Sequence, residues 1–455
     1  MMGERQVMQE GLFYAFNLES HVPSDHLLRQ IDHYLDLGDI RTRLEPHYSS
    51  TGRPSIDPEL MIRMLIIGYC FGIRSERRLC DEVHLNLAYR WFCRLGLEGQ
   101  VPNHSTFSKN RHGRFRESDI LRHIFERSVQ TCMAAGLVGG EGFAIDASVI
   151  EADASRFQRI EAAPTSWADA ENQSRAVREY LDALDTEHSP DNPKRKPRAL
   201  SPSDPCAAWT TKGRLRVQFA YGVNYLIDND HAVIVDVEAT PARISKKVAS
   251  TKTMIDRTEA RLGIKPQRIA ADSAYGTGRL LGWLVDQGIE PHIPVWDKSG
   301  RTDGTLSRAE FSFDEGKDRY VCPEGKELKT TGSVHNGKTL LYRASKRDCD
   351  PCPLKLRCCP NTPSRKVPRD VNEHGRDVAR ALAGTIAFEQ SSIERKKVEM
   401  LFAHLKRNMG LERLRLRGLT GARDEFHLAA TVQNLRKIAK LTWKPPDDDR
   451  TRVPA

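Results

Sequence analysis

The stretch GFAIDASVIEADAS at residues 142–155 decides the fold, together with RIAAD at residues 268–272. Each stretch opens with a short apolar run that is typical of a buried strand, and each run reaches an aspartate, Asp146 or Asp272. An ionised carboxylate beside a buried strand is costly unless it is paired or binds a cation. The two aspartates therefore predict a metal site on an α/β fold.

Asp153 is the alternative to Asp146 within the first stretch. The two positions differ by seven residues, so a strand that continued through both would place them on opposite faces. Asp153 also lies in the more polar segment, and we therefore favour Asp146 as the carboxylate at the site.

A third carboxylate is expected from a helix predicted at about 388–409. At about 100° per residue, Arg395, Glu399 and Lys406 share one face of this helix, whereas Glu394 points away from it. The adjoining apolar stripe consists of Val398, Leu401 and Leu405. Three carboxylates suit Mg²⁺ or Mn²⁺, and two such ions can drive phosphodiester displacement, with Arg395 and Lys406 binding flanking phosphates. A simple surface ion pair between Arg395 and Glu399 explains the helix equally well.

The first 135 residues are predicted to form helices. Ser75 is expected to cap one of them, and basic residues, among them Arg90, Arg111 and Arg114, lie on and between them. This pattern favours a helix-turn-helix type of DNA-binding module. A purely structural helical bundle is the alternative.

Alternating elements are predicted after residue 140. Strands are expected at 216–226, 231–240, 268–272 and 291–295, and helices at about 246–262, 278–287 and 421–441. A turn at 228–230 would join the first two strands into a hairpin, and residues 160–205 end in a loop or linker. The order of strands and helices gives a β-α-β rhythm.

Residues 297–385 are rich in turns, charge and cysteine, and we interpret them as an inserted subdomain. Its candidate zinc ligands are Cys322, Cys349, Cys352 and Cys358, with Cys359 adjacent. Four thiolates can complete a tetrahedral zinc site. Free thiols in a loop-rich insert are the alternative.

Length and charge set the remaining expectations. A chain of 455 residues can hold several domains, which we place at 1–135, 136–296, 297–385 and 386–443, followed by a disordered tail at 444–455. The net charge of +9 is compatible with a phosphate-rich partner. Without a signal peptide or an apolar run long enough for a membrane span, the expected location is the cytoplasm and no membrane contact is expected.

Several segments of this chain resemble insertion-sequence DDE transposases of the group related to insertion sequence five, close to its eleven-eighty-two branch. The resemblance spans most of the chain. The segments that carry it are GRPSIDPELMIRMLIIGYCFGIRSERRLCDEV (52–83), VPNHSTFSKNR (101–111), GFAIDASVIEADAS (142–155), RIAADSAYGTG (268–278) and ERKKVEMLFAHLKRNMGLERLRLRG (394–418). The last is the most specific, because Arg, Glu and Lys recur there at fixed helical spacing.

The resemblance implies that Asp146, Asp272 and Glu399 form a DDE triad on an RNase H-like fold, with Arg395 and Lys406 assisting DNA binding. The implied reaction cuts the terminal inverted repeats of a transposon and joins the freed 3′-hydroxyl to target DNA. A homodimer in the DNA complex and action at the bacterial nucleoid are implied as well.

The sequence departs from the related pattern at two places. A Tyr often stands three residues before the Arg, and here the position holds Ser392, so a role for that Tyr does not carry over. Asp146 is followed by Ala-Ser where Gly-Thr is common. Two other functions fit the same residues: a metal-dependent endonuclease that does not join strands, and a non-catalytic DNA-binding protein derived from such an enzyme.

Overall fold

The structure is a computed structural model that describes residues 16–49, 51–52, 55–161, 163–164, 167, 173–186, 199–211, 216–295 and 304–444. Apart from Lys444, the predicted disordered tail lies outside these residues, as does much of the predicted linker at 160–205.

The helices and strands are numbered in chain order. The helices are α1 (Leu18–His21), α2 (Leu27–Tyr34), α3 (Ile40–Leu44), α4 (Pro58–Cys70), α5 (Glu76–Leu85), α6 (Leu87–Phe92), α7 (His104–His112), α8 (Arg114–Glu117), α9 (Ile120–Ala134), α10 (Arg175–Thr186), α11 (Ile244–Leu262), α12 (Gly278–Asp286), α13 (Lys346–Cys349), α14 (Lys355–Cys358), α15 (Glu373–Leu382), α16 (Ile386–Arg407) and α17 (Gly418–Thr442). The strands are β1 (Gly142–Glu151), β2 (Ala208–Thr210), β3 (Gln218–Asp228), β4 (Ile234–Pro241), β5 (Arg268–Ala270), β6 (Glu290–His292), β7 (Ser312–Asp314), β8 (Arg319–Val321), β9 (Glu327–Leu328), β10 (Val334–His335), β11 (Thr339–Arg343) and β12 (Lys366–Asp370). Short 3₁₀ helices cover Glu45–His47, Ser273–Tyr275 and Arg308–Glu310.

The main sheet has six strands within the described part of the chain, in the order β2-β3-β1-β5-β6, with β4 paired to β3. β1 pairs parallel to β5 with Ala144 opposite Ala270, and β5 pairs parallel to β6 with Ala270 opposite His292. Because parallel neighbours need a crossover connection, α12 links β5 to β6. The predicted mixed α/β architecture after a helical N-terminal region is confirmed.

Strand β1 is longer than the sequence predicted. The expected strand ended at Asp146, but β1 continues to Glu151, so Asp146 lies in its middle. Beyond Asp146 the side chains of Ser148 and Ile150 are buried, whereas Ala147 and Val149 are partly exposed. This alternation is the two-residue period of a strand with one buried face, and it carries the strand past the apolar run.

The chain divides into two compact units, of which the first comprises Met1–Leu137, Val149–Val223 and Leu401–Ala455. Helix α17 forms its centre and packs against α2, α4 and α9. Helix α4 begins at Pro58 because the Asp57 side chain accepts a hydrogen bond from the Glu59 N–H at 3.0 Å. The predicted cap at Ser75 is confirmed, since its hydroxyl accepts a hydrogen bond from the Arg78 N–H at 3.3 Å.

The second unit comprises Val138–Ser148 and Asn224–Met400. Helix α11 packs on β4, and two ion pairs fix it there: Arg257 binds Asp236 at 2.7 Å and Glu238 at 2.8 Å. Helices α12 and α15 pack on each other and on β6. Further along, β7-β8-β9 and β10-β11-β12 form two small antiparallel sheets.

Within the residues described, no helix has both the length and the apolar content that crossing a membrane requires.

Candidate metal centre

Asp146 lies on one strand of a neighbouring parallel pair in the second unit, and Asp272 follows the other. Asp146 is in the middle of β1, and Asp272 follows the end of β5 by two residues. The Asp272 carboxylate also accepts a hydrogen bond from the Ala274 N–H at 2.9 Å and so caps the 3₁₀ helix after it. The pairing of β1 with β5 therefore brings together two carboxylates that are 126 residues apart in the sequence.

One ammonium group joins the two carboxylates. The Lys247 Nζ lies 3.0 Å from Asp146 Oδ1 and 3.3 Å from Asp272 Oδ2. Lys247 stands in the first turn of α11, the helix that Arg257 fixes on β4. The sequence does not point to this residue, because nothing around a lysine on a polar helix indicates partners that are 101 and 25 residues away.

Tyr275 packs against the ammonium group that joins the two carboxylates. The Lys247 ammonium nitrogen lies over its ring, 4.3 Å from the ring centroid, which is a cation–π distance. Burial raises the pKa of the Tyr275 hydroxyl well above its ordinary value, the charges of Asp146 and Asp272 raise it further, and Arg395 opposes them. The hydroxyl therefore stays protonated, and it has no hydrogen-bond partner in the described part of the chain.

Glu399 does not meet the two aspartates. Its side chain is 56% exposed, and its carboxylate pairs with Arg395 at 3.4 Å on the same helix. This is the surface pair that the sequence left open as the simpler interpretation. The charge of Arg395, the partner of Glu399, lowers the pKa of the Tyr275 hydroxyl, which both aspartates raise.

One direct observation indicates that the two aspartates suit a bound cation. A positive ammonium group lies within hydrogen-bonding distance of both carboxylates. Among the residues described, no three His, Cys, Asp or Glu side chains converge in a way that would hold a metal ion. The structure therefore joins Asp146 and Asp272 through Lys247 and does not group Glu399 with them. Lys406, predicted to share the face of Glu399, lies half-buried in the last turn of α16.

The choice of Asp146 over Asp153 agrees with the partners of the two residues. Asp153 belongs to the first unit, where it pairs with Arg413 at 3.2 Å and Arg417 at 3.0 Å. The two arginines neutralise the charge of Asp153 at the surface. Asp146 instead shares the Lys247 ammonium with a second carboxylate, that of Asp272.

Arg90 and Arg111, predicted to bind DNA, are buried. The Arg90 guanidinium donates hydrogen bonds to backbone carbonyls, including those of Leu97 at 2.8 Å and Gly99 at 2.6 Å. Arg111 is 4% exposed and pairs with Glu76 at 2.9 Å. Because both guanidinium groups are enclosed by protein oxygens, their roles in this structure are structural, and the predicted DNA contacts are corrected accordingly.

Arg114, the third predicted DNA-binding residue of the N-terminal region, is half-buried. It donates hydrogen bonds to the Ser55 hydroxyl and the Asn110 side-chain oxygen, both at 2.6 Å, and its guanidinium lies 4.6 Å from the centroid of the Tyr48 ring. These contacts hold Arg114 in place and leave part of it at the surface.

Three of the four predicted zinc ligands lie in or against the core of the inserted segment, whereas Cys352 is partly exposed and is not part of it. Cys349, Cys358 and Cys359 are buried there with aromatic and aliphatic side chains, and Cys322 packs against them. Burial raises the pKa of the Cys349 thiol, and it raises that of Cys358 to about 11. None of these cysteines forms a disulfide, and within the described residues no three of them are grouped as metal ligands would be.

Two family models match the chain. Residues 16–113 match the Transposase domain (DUF772), and residues 321–439 match the Transposase DDE domain. The chain is also similar to a cryo-EM structure of the piggyBac transposase synaptic complex with hairpin DNA, with 11% sequence identity, a TM-score of 0.35, and coverage of 92% of this chain and 74% of that one. The two transposase models, one in each half of the chain, show that this protein is a DNA transposase of the DDE family.

Proposed function

We propose that this transposase cleaves the ends of its own DNA element and joins each freed 3′-hydroxyl to target DNA at a centre built on Asp146 and Asp272. The observation that carries the proposal is the meeting of these two carboxylates at one ammonium group, at 3.0 and 3.3 Å. Two partly enclosed carboxylates that already share one cation are suited to share another of higher charge.

The cation we propose is Mg²⁺, with Mn²⁺ as its substitute, because carboxylate oxygens are the ligands that both ions prefer. Bound there, the ions would activate the attacking oxygen and neutralise charge on the phosphate. Asp146 and Asp272 would hold them, and Glu399 would be the third carboxylate. Arg395 pairs with Glu399 and carries a guanidinium fork that matches a phosphate.

The fold we propose for this centre is RNase H-like. What supports it is the order β2-β3-β1-β5-β6 with β4 paired to β3, in which Asp146 lies on β1 and Asp272 follows its parallel neighbour β5. The partners we propose are the double-stranded terminal repeats and the target DNA, bound by a homodimer so that two ends can be cut together. We also propose a cytoplasmic location at the nucleoid and a place near the eleven-eighty-two branch of the family.

Replacing Glu399 tests the proposed third carboxylate. We expect Glu399→Gln to bind the element's end normally and to cleave it at least about a hundredfold more slowly, because one oxygen ligand of the ions is lost. Glu394→Gln on the same helix is the matched control and should cleave at the wild-type rate. The assay is single-turnover cleavage of a labelled end, with a gel-shift measurement of binding. Normal cleavage by Glu399→Gln, or loss of cleavage in Glu394→Gln, would remove Glu399 from the site.

Joining is tested with DNA ends that have been cut beforehand. We expect the wild-type protein to transfer such ends into a target plasmid in the presence of Mg²⁺. A protein that cleaves ends but never transfers pre-cut ones would be an endonuclease, and the joining half of the proposal would fall.

We propose separately that the inserted segment binds a structural zinc ion through Cys322, Cys349, Cys352 and Cys358. What supports this is that Cys322, Cys349 and Cys358 share one small core. Metal analysis of the purified protein should then find about one zinc ion per chain, the number that four ligands of one tetrahedral site can hold. The matched control is the variant Cys349→Ser, which should lose the metal. A zinc-free protein that is folded and active would end the proposal.

A further inference from the structure

We infer that Lys247 is an internal cation that holds the carboxylates of Asp146 and Asp272 whenever no metal ion is bound, and that a divalent ion must displace it. The inference rests on the proposed function, since it requires Asp146 and Asp272 to be metal ligands. Its direct observation is the Lys247 ammonium shared between the two carboxylates at 3.0 and 3.3 Å.

The two carboxylates need a cation whether or not a metal ion is present. Their side chains are only 15% and 37% exposed, so water screens their mutual repulsion incompletely. The Lys247 side chain is 17% exposed and holds its charge between them. On its other side the ammonium contacts the face of the Tyr275 ring, which is the negative part of an aromatic side chain.

The position of Lys247 in its helix argues that these contacts hold it there. Lys247 lies in the first turn of α11, where the helix dipole disfavours a positive side chain. The two carboxylates and the aromatic face offset this cost. Because Arg257 fixes the same helix on β4 through two ion pairs, the base of the Lys247 side chain is held at a constant place beside the centre.

A divalent ion and the Lys247 ammonium compete for the same oxygens. Asp146 Oδ1 and Asp272 Oδ2 are the atoms that Lys247 binds, and a metal ion placed between them would repel the ammonium at short range. The four-carbon stem of lysine has enough rotatable bonds to withdraw the charge while its helix stays in place. The ammonium neutralises one of the two carboxylate charges, and metal binding has to break both of its charge-assisted hydrogen bonds.

The test is a Mn²⁺ titration of the full-length, DNA-free protein, followed by the electron paramagnetic resonance signal of the free ion. Lys247→Met keeps the length of the side chain and removes its charge, so the dissociation constant for Mn²⁺ should fall about tenfold or more, as expected for losing a competing charged hydrogen bond. Lys247→Arg keeps the charge and adds a fork that can hold both carboxylates, so Mn²⁺ should bind more weakly than to wild type.

Lys252→Met on the same helix is the matched control, because the Lys252 ammonium lies over the Trp283 ring, 5.0 Å from its centroid, and should leave Mn²⁺ affinity unchanged. Mn²⁺ binding to Lys247→Met that is equal to or weaker than wild type would overturn the inference. If Lys247→Met does not fold, Lys247→Arg decides alone, and affinity at or above the wild-type level would overturn it.

The same titration separates this inference from the proposed function. In Asp146→Asn the Mn²⁺ site should be lost, whether or not Lys247 competes for it. Binding that persists in Asp146→Asn would refute the proposed metal centre itself. Binding that is lost there but unchanged in Lys247→Met would refute only the role of Lys247.

Discussion

Asp272→Asn is expected to lower the rate of DNA-end cleavage at least about a thousandfold. A divalent-ion centre contributes several kcal/mol of transition-state stabilisation, and the variant lacks one of its two central ligands. Asparagine has the same shape and can still accept the hydrogen bond from the Ala274 N–H, so the 3₁₀ helix after β5 should remain capped. The variant should therefore fold and bind DNA ends normally. The measurement is single-turnover cleavage at saturating protein with Mg²⁺ or Mn²⁺.

Asp286→Asn is the matched control for this variant. Asp286 lies on the same unit at the end of α12, its side chain is 63% exposed, and it pairs with His374 at 3.2 Å on the surface. It should cleave at the wild-type rate. Cleavage by Asp272→Asn within about tenfold of wild type would mean that Asp272 does not hold the ions. Removal of even one hydrogen-bond donor to a transition state lowers the catalytic rate by more than that.

The largest effect on stability is expected for Glu425→Ala in the first unit. The Glu425 side chain is fully buried, and its carboxylate accepts hydrogen bonds from Arg74, from the Tyr69 hydroxyl at 3.1 Å, and from the Leu416 N–H at 2.7 Å. Removing it leaves the largely buried Arg74 charge without its partner, which costs about 3–5 kcal/mol for such pairs. Urea unfolding followed by circular dichroism measures the change.

The pH dependence of the same contact has a definite sign. Burial would raise the pKa of Glu425, but the charges of Arg74 and Arg111 and two backbone N–H groups hold it below its usual value. A lowered pKa in the folded state contributes stability above the unfolded pKa of about 4.3 and loses it as the pH falls through the folded value. The stability gap between wild type and Glu425→Ala should therefore shrink in acid.

Glu82→Ala is the control, since Glu82 makes a solvent-exposed pair with Arg78 at 3.2 Å. Such pairs contribute about 0–1 kcal/mol, so the unfolding midpoint should barely move. A Glu425→Ala variant that behaves like Glu82→Ala would contradict the structural role assigned to the buried carboxylate.

The sequence predicted the elements whose signal is local. The hydroxyl of Ser75 caps a helix as expected, and the helix at 386–407 buries Val398 and Leu405 on the predicted apolar stripe. Asp272 follows a short buried strand, as its apolar neighbours indicated. These features depend on residues a few positions apart, which is the range over which helical and strand periods can be recognised.

The features that the sequence did not predict depend on distant partners. Lys247 owes its role to two carboxylates on other elements, and nothing around it in the chain indicates them. The basic pattern of its helix predicts that Arg90 is a surface charge. In the structure the chain folds back, and the carbonyls of Leu97 and Gly99 accept hydrogen bonds from Arg90. Local charge pattern does not distinguish a guanidinium that binds phosphate from one that binds the protein's own backbone.

The most direct test of the metal centre is the anomalous scattering of Mn²⁺ in crystals of the transposase bound to its element's DNA end. We predict an anomalous peak in contact with carboxylate oxygens of both Asp146 and Asp272, with the Lys247 ammonium moved away from it. Ordered Mn²⁺ at other residues, with the two aspartates still bridged by Lys247 in a complex that cleaves DNA, would contradict the account.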